Sequence, residues 1–372
     1  MKVLHLVGTL NAGGIERVVS QLALTQKQEG DVEPVIACLL RREGLFLDEL
    51  LRSGVQVYDC SYTGKAPWVL SIKLFKLIRL VKPNLIHSHV NFSLLWQAIP
   101  KFLFSLPFVY TQHSMSVNAR KLSHRIMSFL GYCVVSKSKF KHTAVSDFAA
   151  TYASRLYRTQ KEGISIIYNG ISPEMFKFDK IKRGQIRAYY QIAPDEIVLG
   201  CVGRLDYVKG YDILITAFSR LIYTVPNRKF RLMVVGDGTL KNTLITQSED
   251  QGIADNVVWV GRIHEVADYL SAMDFYVQAS RWETLSLTIL EALANGLNVL
   301  TSDSSGSSEI SHYINRVHLF HGHDIDEIVS EITKLLYLMP REELKSVEFS
   351  ELFNLDTMNK KYLEIYDSLQ YV

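Results

Sequence analysis

The stretch FYVQASRWETLSLTILEALANGLNVLT, residues 275–301, reads as one strand, loop, helix and second strand. Phe275–Gln278 and Leu297–Thr301 are short apolar runs, and Leu285–Ala294 is an almost unbroken apolar helix closed by Asn295-Gly296. A helix of this length between two buried strands is the crossover of a parallel pair. Working outward, the rhythm repeats. Ile197–Val202, Phe230–Val235, Val257–Val260 and Val317–Phe320 read as further strands, with helices over Lys209–Tyr223, Leu240–Gln251 and Asp326–Leu338. The first half has the same alternation. Its strands are Val3–Val7, Pro34–Leu39, Val55–Tyr58, Leu85–His87, Phe108–Thr111, Cys133–Val135, His142–Val145 and Ile164–Tyr168, with helices over Ile15–Glu29, Trp68–Val81 and Asp147–Tyr157. The fold class is therefore α/β, with two Rossmann-like domains.

The domains are read as residues 1–172 and 173–355, with a C-terminal helix over about 356–372 packing back on the first. The polar stretch from Asn169 to about Asp195 reads as the hinge between them. Ligands of doubly wound sheets bind outside the carboxyl ends of the strands, so two sheets with those ends facing would enclose a cleft.

The chain of 372 residues is long enough for two cores, and 48% apolar with 21% charged residues is a globular composition. Cys38, Cys60, Cys133 and Cys201 form no CxxC pair. Three of them, Cys38, Cys133 and Cys201, sit in runs read as buried strands, which suits a reducing compartment. The opening MKVLHLVGTL lacks the apolar core of a signal peptide, and Leu94–Tyr110 is broken by Pro100, Lys101 and Pro107, too short to span a bilayer. Charge is uneven. Residues 1–174 carry 21 Lys/Arg against 11 Asp/Glu, residues 175–372 carry 20 against 27, and between Asp59 and Asp147 twelve Lys/Arg meet no carboxylate. The expected partner of that span is an anion such as phospholipid, a lipid diphosphate or a charged glycan, and the expected location is the cytoplasm, peripheral on the inner face of the membrane. The alternative is that basic residues merely collect on outer helices. No nucleic-acid partner is expected.

Several segments carry chemistry. Gly8-Thr9-Leu10-Asn11-Ala12-Gly13-Gly14 joins the first strand to a helix and lets an anion approach the helix N-terminus, although a plain tight turn explains the spacing as well. Gly203-Arg204-Leu205 and Lys209-Gly210 put two cations at the carboxyl end of a strand, where a diphosphate would sit. Gly236-Asp237-Gly238 permits close backbone approach, or is only a turn. In the opening stretch, Glu283 lies in the loop before the helix and Glu291 two turns into it, and a carboxylate accepts from paired sugar or ribose hydroxyls. Leu285, Ser286, Leu287 and Thr288 bring amides to the helix N-terminus. His113 follows one strand, and His87-Ser88-His89 ends another. His-x-His pairs also suggest metal, as does His321-Gly322-His323, but no third ligand is evident from the sequence and no metal site is expected.

Taken in order, Gly13-Gly14, Thr111-Gln112-His113, Asn169-Gly170, Gly203-Arg204 with Lys209-Gly210, Gly236-Asp237-Gly238, Glu283 with Glu291, and Gly306 with Glu309 make the whole chain resemble the retaining glycosyltransferases of family 4, whose fold is GT-B. The resemblance implies a hexosyltransferase with a nucleotide-sugar donor and no metal or other cofactor. It implies that Glu291 holds the donor ribose, Glu283 the sugar hydroxyls, and Arg204, Lys209 and the Gly14 amide the diphosphate. Arg262 and Ile263 would border the base, and His113 would face the transferred sugar. His89, Arg120, Lys121 and Arg125 are placed on the acceptor side. Ser286 stands where the family usually has glycine, Asn298 where it has proline, and Ser305 where it has the first glycine of a pair, which bears on donor identity and activity. A UDP-sugar is favoured as donor and a GDP-sugar second. The acceptor is a glycolipid, lipopolysaccharide or other surface polysaccharide. The competing functions are a nucleotide-sugar epimerase or hydrolase on the same fold, and a non-catalytic partner subunit.

Overall fold

A computed structural model describes residues 1–11, 13–62, 67–90, 94–114, 122–303, 306–337 and 351–370. The chain divides into two compact units, Met1–Gly170 with Leu355–Val372, and Ile171–Asn354.

The first unit is a parallel sheet of β1 (Lys2–Val7), β2 (Glu33–Cys38), β3 (Gln56–Asp59), β4 (Leu85–Ser88), β5 (Phe108–Gln112), β6 (Phe140–Ala144) and β7 (Ile164–Ile166). Their order across the sheet is β3-β2-β1-β4-β5-β6-β7, so the direction of winding reverses between β1 and β4. Around it lie α1 (Gly14–Glu29), α2 (Leu47–Arg52), α3 (Pro67–Val81), α4 (Leu94–Leu103), α5 (Leu122–Val135) and α6 (Asp147–Tyr157). Strand β1 is buried along nearly its whole length, as expected of a central parallel strand covered on both faces. Helix α1 stops at Gly30, whose φ of 84° is the left-handed cap, and Ser146 caps α6 by accepting from the Ala149 amide at 3.0 Å.

The second unit orders β8 (Ile197–Val202), β9 (Phe230–Val235), β10 (Val257–Gly261), β11 (Phe275–Gln278), β12 (Asn298–Ser302) and β13 (Val317–Phe320) as β10-β9-β8-β11-β12-β13, reversing between β8 and β11. Its helices are α7 (Lys180–Tyr189), α8 (Tyr211–Thr224), α9 (Lys241–Asp250), α10 (Val266–Ala272), α11 (Leu287–Ala294) and α12 (Ile325–Leu335). Leu199, Val234, Leu300 and Phe320 lie in a core shared by the sheet with α8 and α12. The last helix, α13 (Leu355–Gln370), belongs to the first unit, where it packs on α1.

Three sequence expectations change. Cys133–Val135 is not a strand but the end of α5, with Cys133 only half-buried. The stretch read as a hinge contains α7, which belongs to the second unit. Arg183 anchors it by donating to the carbonyls of Ser271, Ala272 and Met273 and to Asp274, and Arg187 reaches Asp274 at 3.3 Å. Two helices also begin later than expected. A 3-10 turn, Tyr207–Lys209, precedes α8, and α11 starts at Leu287.

Candidate functional site

In the second unit the loops after β8 and β11 meet where the winding reverses, the ligand position of such sheets. The Arg281 amide donates to the Val208 carbonyl at 2.8 Å. Gly210 has φ 64°, and a Cβ there would lie 2.0 Å from the Ala279 carbonyl oxygen, so only glycine lets the two loops close. Gly236, with φ 141°, likewise leaves no room for a side chain against the Gly203 carbonyl oxygen, 1.9 Å from an added Cβ. The Gly236-Asp237-Gly238 turn thus braces the loop carrying Arg204, and the Leu205 amide donates to the Asp237 carbonyl at 3.0 Å.

This closure brings together two residues the sequence singled out separately. The Lys209 ammonium donates directly to the Glu283 carboxylate, both side chains about one-fifth exposed. Asp206 holds the turn by accepting from the Lys209 amide at 3.3 Å. Arg204 is placed differently. Its side chain is 75% exposed and donates to Asp206 at 2.6 Å. Beside them Arg281 grips Asp212 through two bonds of 2.8 and 2.6 Å, holding that carboxyl below the usual carboxylate range, and lies 4.0 Å from the Tyr207 ring centre.

Glu291 is completely buried on α11. At the start of that helix Ser286 donates its hydroxyl to Gln278 Oε1 at 2.9 Å and its amide to Ser307 at 2.9 Å, and Thr288 is hydrogen-bonded to Tyr276 at 2.8 Å. The serine that replaces glycine here is therefore built into a polar network under the loop. Leu285 and Leu287 are buried too, while Arg262 and Ile263 follow β10, Arg262 exposed.

The first unit has its own site at its own reversal point. A cavity of about 290 Å³ is lined by Gly8, Thr9, Glu16, His89 and His113 among others, at the carboxyl ends of β1, β4 and β5. Gly13 precedes α1 without a side-chain cap, Gly14 opens the helix, and the Glu16 carboxylate folds over Gly13. His113 and His89 are 6% and 3% exposed and joined by a hydrogen bond of 2.9 Å between His89 Nδ1 and His113 Nε2. Burial lowers the His113 pKa to about 3 and that of His89 well below the ordinary value. Arg120 and Lys121 lie outside the described residues, as does the Arg125 side chain.

Two family models match the chain in tandem, Glycosyltransferase Family 4 over residues 12–175 and Glycosyl transferases group 1 over residues 182–345. The chain belongs to glycosyltransferase family 4. Among relatives of this glycosyltransferase is EpsF of Bacillus subtilis, a glycosyltransferase by name, 22% identical over 310 residues that span 82% of this chain and 79% of EpsF. Alpha-monoglucosyldiacylglycerol synthase of Streptococcus pneumoniae is 26% identical over 251 residues, 61% of this chain and 54% of the relative, so that match spans about half of the relative. The fold matches that of Anabaena HepE, solved in complex with UDP and glucose, at a TM-score of 0.82 with 20% identity, covering 99% of this chain and 100% of that one. The enzyme thus has the GT-B fold, with two parallel sheets and interleaved helices.

Sequence reasoning missed several residues of these sites. Asp206, Asp212, Gln278 and Tyr276 hold the loops after β8 and β11, and no short motif marks them. It also missed His5. The expectation that the His87 and His89 pair lacks a third imidazole is corrected, because ring nitrogens of His5, His87 and His89 all lie within 4.8 Å of one another. The signal was parity: in a parallel sheet His5 pairs with His87, so both point to one face with His89.

Proposed function

We propose that this glycosyltransferase takes a UDP-sugar, transfers the sugar with retention and without a metal, and passes it to a glycolipid or surface-polysaccharide acceptor. The observation that carries the reading is the Lys209 contact with Glu283 at the reversal point of the second sheet, with Glu291 buried further along α11. A UDP-sugar is favoured over a GDP-sugar by the complex of HepE with UDP and glucose, and a lipid acceptor by the synthase named above. In this mechanism the C1–O bond of the donor breaks with its electron pair going to the diphosphate. Arg204, Lys209 and the amides at the start of α11 stabilise that charge. The acceptor oxygen bonds to C1 on the leaving-group face, and its proton passes to the departing diphosphate. Glu283 accepts from the sugar hydroxyls, Glu291 from the ribose, and His113 orients the sugar. Arg262 and Ile263 border the base. Replacing Glu291 by Ala, or by Gln to keep its volume, should weaken UDP binding by about 1.5–3 kcal/mol, the range for hydrogen bonds to a charged group. Calorimetric titration with UDP is the check; unchanged affinity in a folded variant removes the ribose assignment.

The same proposal places the first unit on an anionic membrane surface, at the inner face of the cytoplasmic membrane. No helix among the described residues is long and apolar enough to cross a membrane. Instead, Trp68, Ile72, Lys76, Arg79 and Leu80 are exposed at helical spacing on α3. The neighbouring helices expose Ile99, Phe102 and Leu103 on α4 and Ile126, Met127 and Leu130 on α5. An outward apolar face edged by cations suits the lipid interface. Not every base of the span serves it. Lys73 donates to the Cys60 and Ser61 carbonyls, and Lys101 is buried against the Val135 carbonyl at 2.9 Å. Lys76, Arg79 and Lys82 remain exposed, each worth about 1 kcal/mol near an anionic surface. Co-sedimentation with anionic vesicles at low salt should be strong, and should fall with neutral lipid, with high salt or with Lys76/Arg79/Lys82→Glu. Equal binding to neutral and anionic vesicles, or none to either, counts against this surface.

A further inference from the structure

The face of the first sheet beneath α1 and α13 holds an unusual run of imidazoles. His5 on β1 and His87 on β4 are register partners, and His89 and His113 continue the same face toward the cavity. Three of the four form one chain. Gln26 Oε1 lies 3.0 Å from His5 Nε2, His5 Nδ1 lies 3.1 Å from His89 Nε2, and His89 Nδ1 lies 2.9 Å from His113 Nε2. Gln26, His5 and His89 are almost wholly buried, so water does not compete for these links.

Each nitrogen-to-nitrogen link holds one hydrogen, and a neutral imidazole has one to give. Burial keeps these rings neutral, His5 at a pKa of about 4 and His113 at about 3. The carbonyl of Gln26 only accepts. The hydrogen in the first link therefore sits on His5 Nε2, leaving His5 Nδ1 to accept from His89 Nε2, and His89 Nδ1 to accept from His113 Nε2. The direction set at Gln26 is passed along to the last ring.

We propose that Gln26, His5 and His89 are positioning residues for His113, fixing its imidazole as the Nε2–H tautomer. The transferase role of that ring rests on the reading above; the tautomer itself does not. His87 stands apart, bonded to Tyr366 at 2.6 Å and to Thr111 at 2.7 Å. With His5, His87 and His89 close together a metal ion is the competing occupant, but each of their ring nitrogens already has a hydrogen-bonding partner.

The test is nitrogen-15 histidine correlation spectroscopy on the full, ligand-free chain, whose eleven histidines are few enough to assign. His113 should appear as the Nε2–H tautomer in the wild type and as a mixture in Gln26→Leu. That variant should lose roughly 10- to 100-fold in kcat, the scale seen when a metal-ligating histidine loses the partner that orients it, and keep its affinity for free UDP. A wild-type His113 in the Nδ1–H form, or one unchanged in Gln26→Leu, overturns the proposal. So does stoichiometric zinc binding that shifts His5, His87 and His89 together. If the tautomer behaves as expected but His113→Ala transfers sugar normally, the chain stands and the transferase role of His113 falls.

Discussion

Acidification from pH 7 to pH 4.5 should remove most of the stability of the first unit. His5, His113 and His142 are buried, and desolvation lowers their pKa values to about 4, about 3 and about 3. In the unfolded chain each returns to about 6.5. Between pH 6.5 and 4 the unfolded state therefore binds protons that the folded state refuses, and unfolding becomes easier as the pH falls. Stability from this source is complete above pH 6.5 and lost on acidification. At pH 4.5 each such ring accounts for about 2–3 kcal/mol. His5, His89 and His113 titrate as one linked set, so their sum belongs to the chain and not to single residues. The total is comparable with the ~5–15 kcal/mol that holds an ordinary domain together. His142 separates cleanly from that set. It sits against the Tyr110 and Tyr132 rings, its Nδ1 3.3 Å from the Tyr132 hydroxyl. Urea midpoints by circular dichroism should fall steeply between pH 7 and 4.5, and His142→Phe should remove one ring's share of the slope. A flat midpoint over that range means the imidazoles do not carry the effect.

The pattern behind these rings shows what a sequence discloses. Strands β8, β9, β11 and β13 are legible as apolar runs cut off by glycine or polar turns, because a parallel strand buried on both faces leaves that signature. Helix α7 is not legible that way. Its packing is done by Arg183 and Arg187 on carbonyls and Asp274, so the segment looks like a charged linker. Cys133-Val134-Val135 misleads for the opposite reason: a short apolar run at the end of a helix has too few residues to display its period.

The sites divide along the same line. Glycines such as Gly210 are legible because a close backbone approach excludes every other residue. Pairings across distant segments are not. Lys209 meets Glu283 and Arg281 meets Asp212 only because the loops after β8 and β11 are neighbours, and that is a property of strand order. The single histidine in KVLHLV gave no sign of itself until its register with His87 was known.

Lys209→Ala should lower kcat by roughly 10²–10³-fold, the effect of deleting one group that stabilises an oxyanion as it forms. The loop carrying Lys209 is fixed by Gly210 against Ala279 and by Asp206 on the Lys209 amide, so the ammonium is already in place before donor binds. In the free enzyme it lies on Glu283. On the proposed reading an entering diphosphate would take over the lysine and release Glu283 to the sugar hydroxyls. Charge on the diphosphate grows as the C1–O bond breaks, so the lysine acts more strongly in the transition state than in the bound ground state. Affinity for free UDP should accordingly fall much less than kcat. Arg204→Ala should lower kcat as well, since the proposed reading sets this side chain, which rests exposed on Asp206 at 2.6 Å, beside Lys209 on the diphosphate. EDTA should leave wild-type transfer intact, since the cation at the diphosphate is then a side chain. Steady-state kinetics with UDP-glucose, alongside circular dichroism to show that Lys209→Ala folds, measures all three. Transfer abolished by EDTA and restored by Mg²⁺ or Mn²⁺, with Lys209→Ala close to wild type, would assign the leaving-group charge to a metal and remove Lys209 from the chemistry.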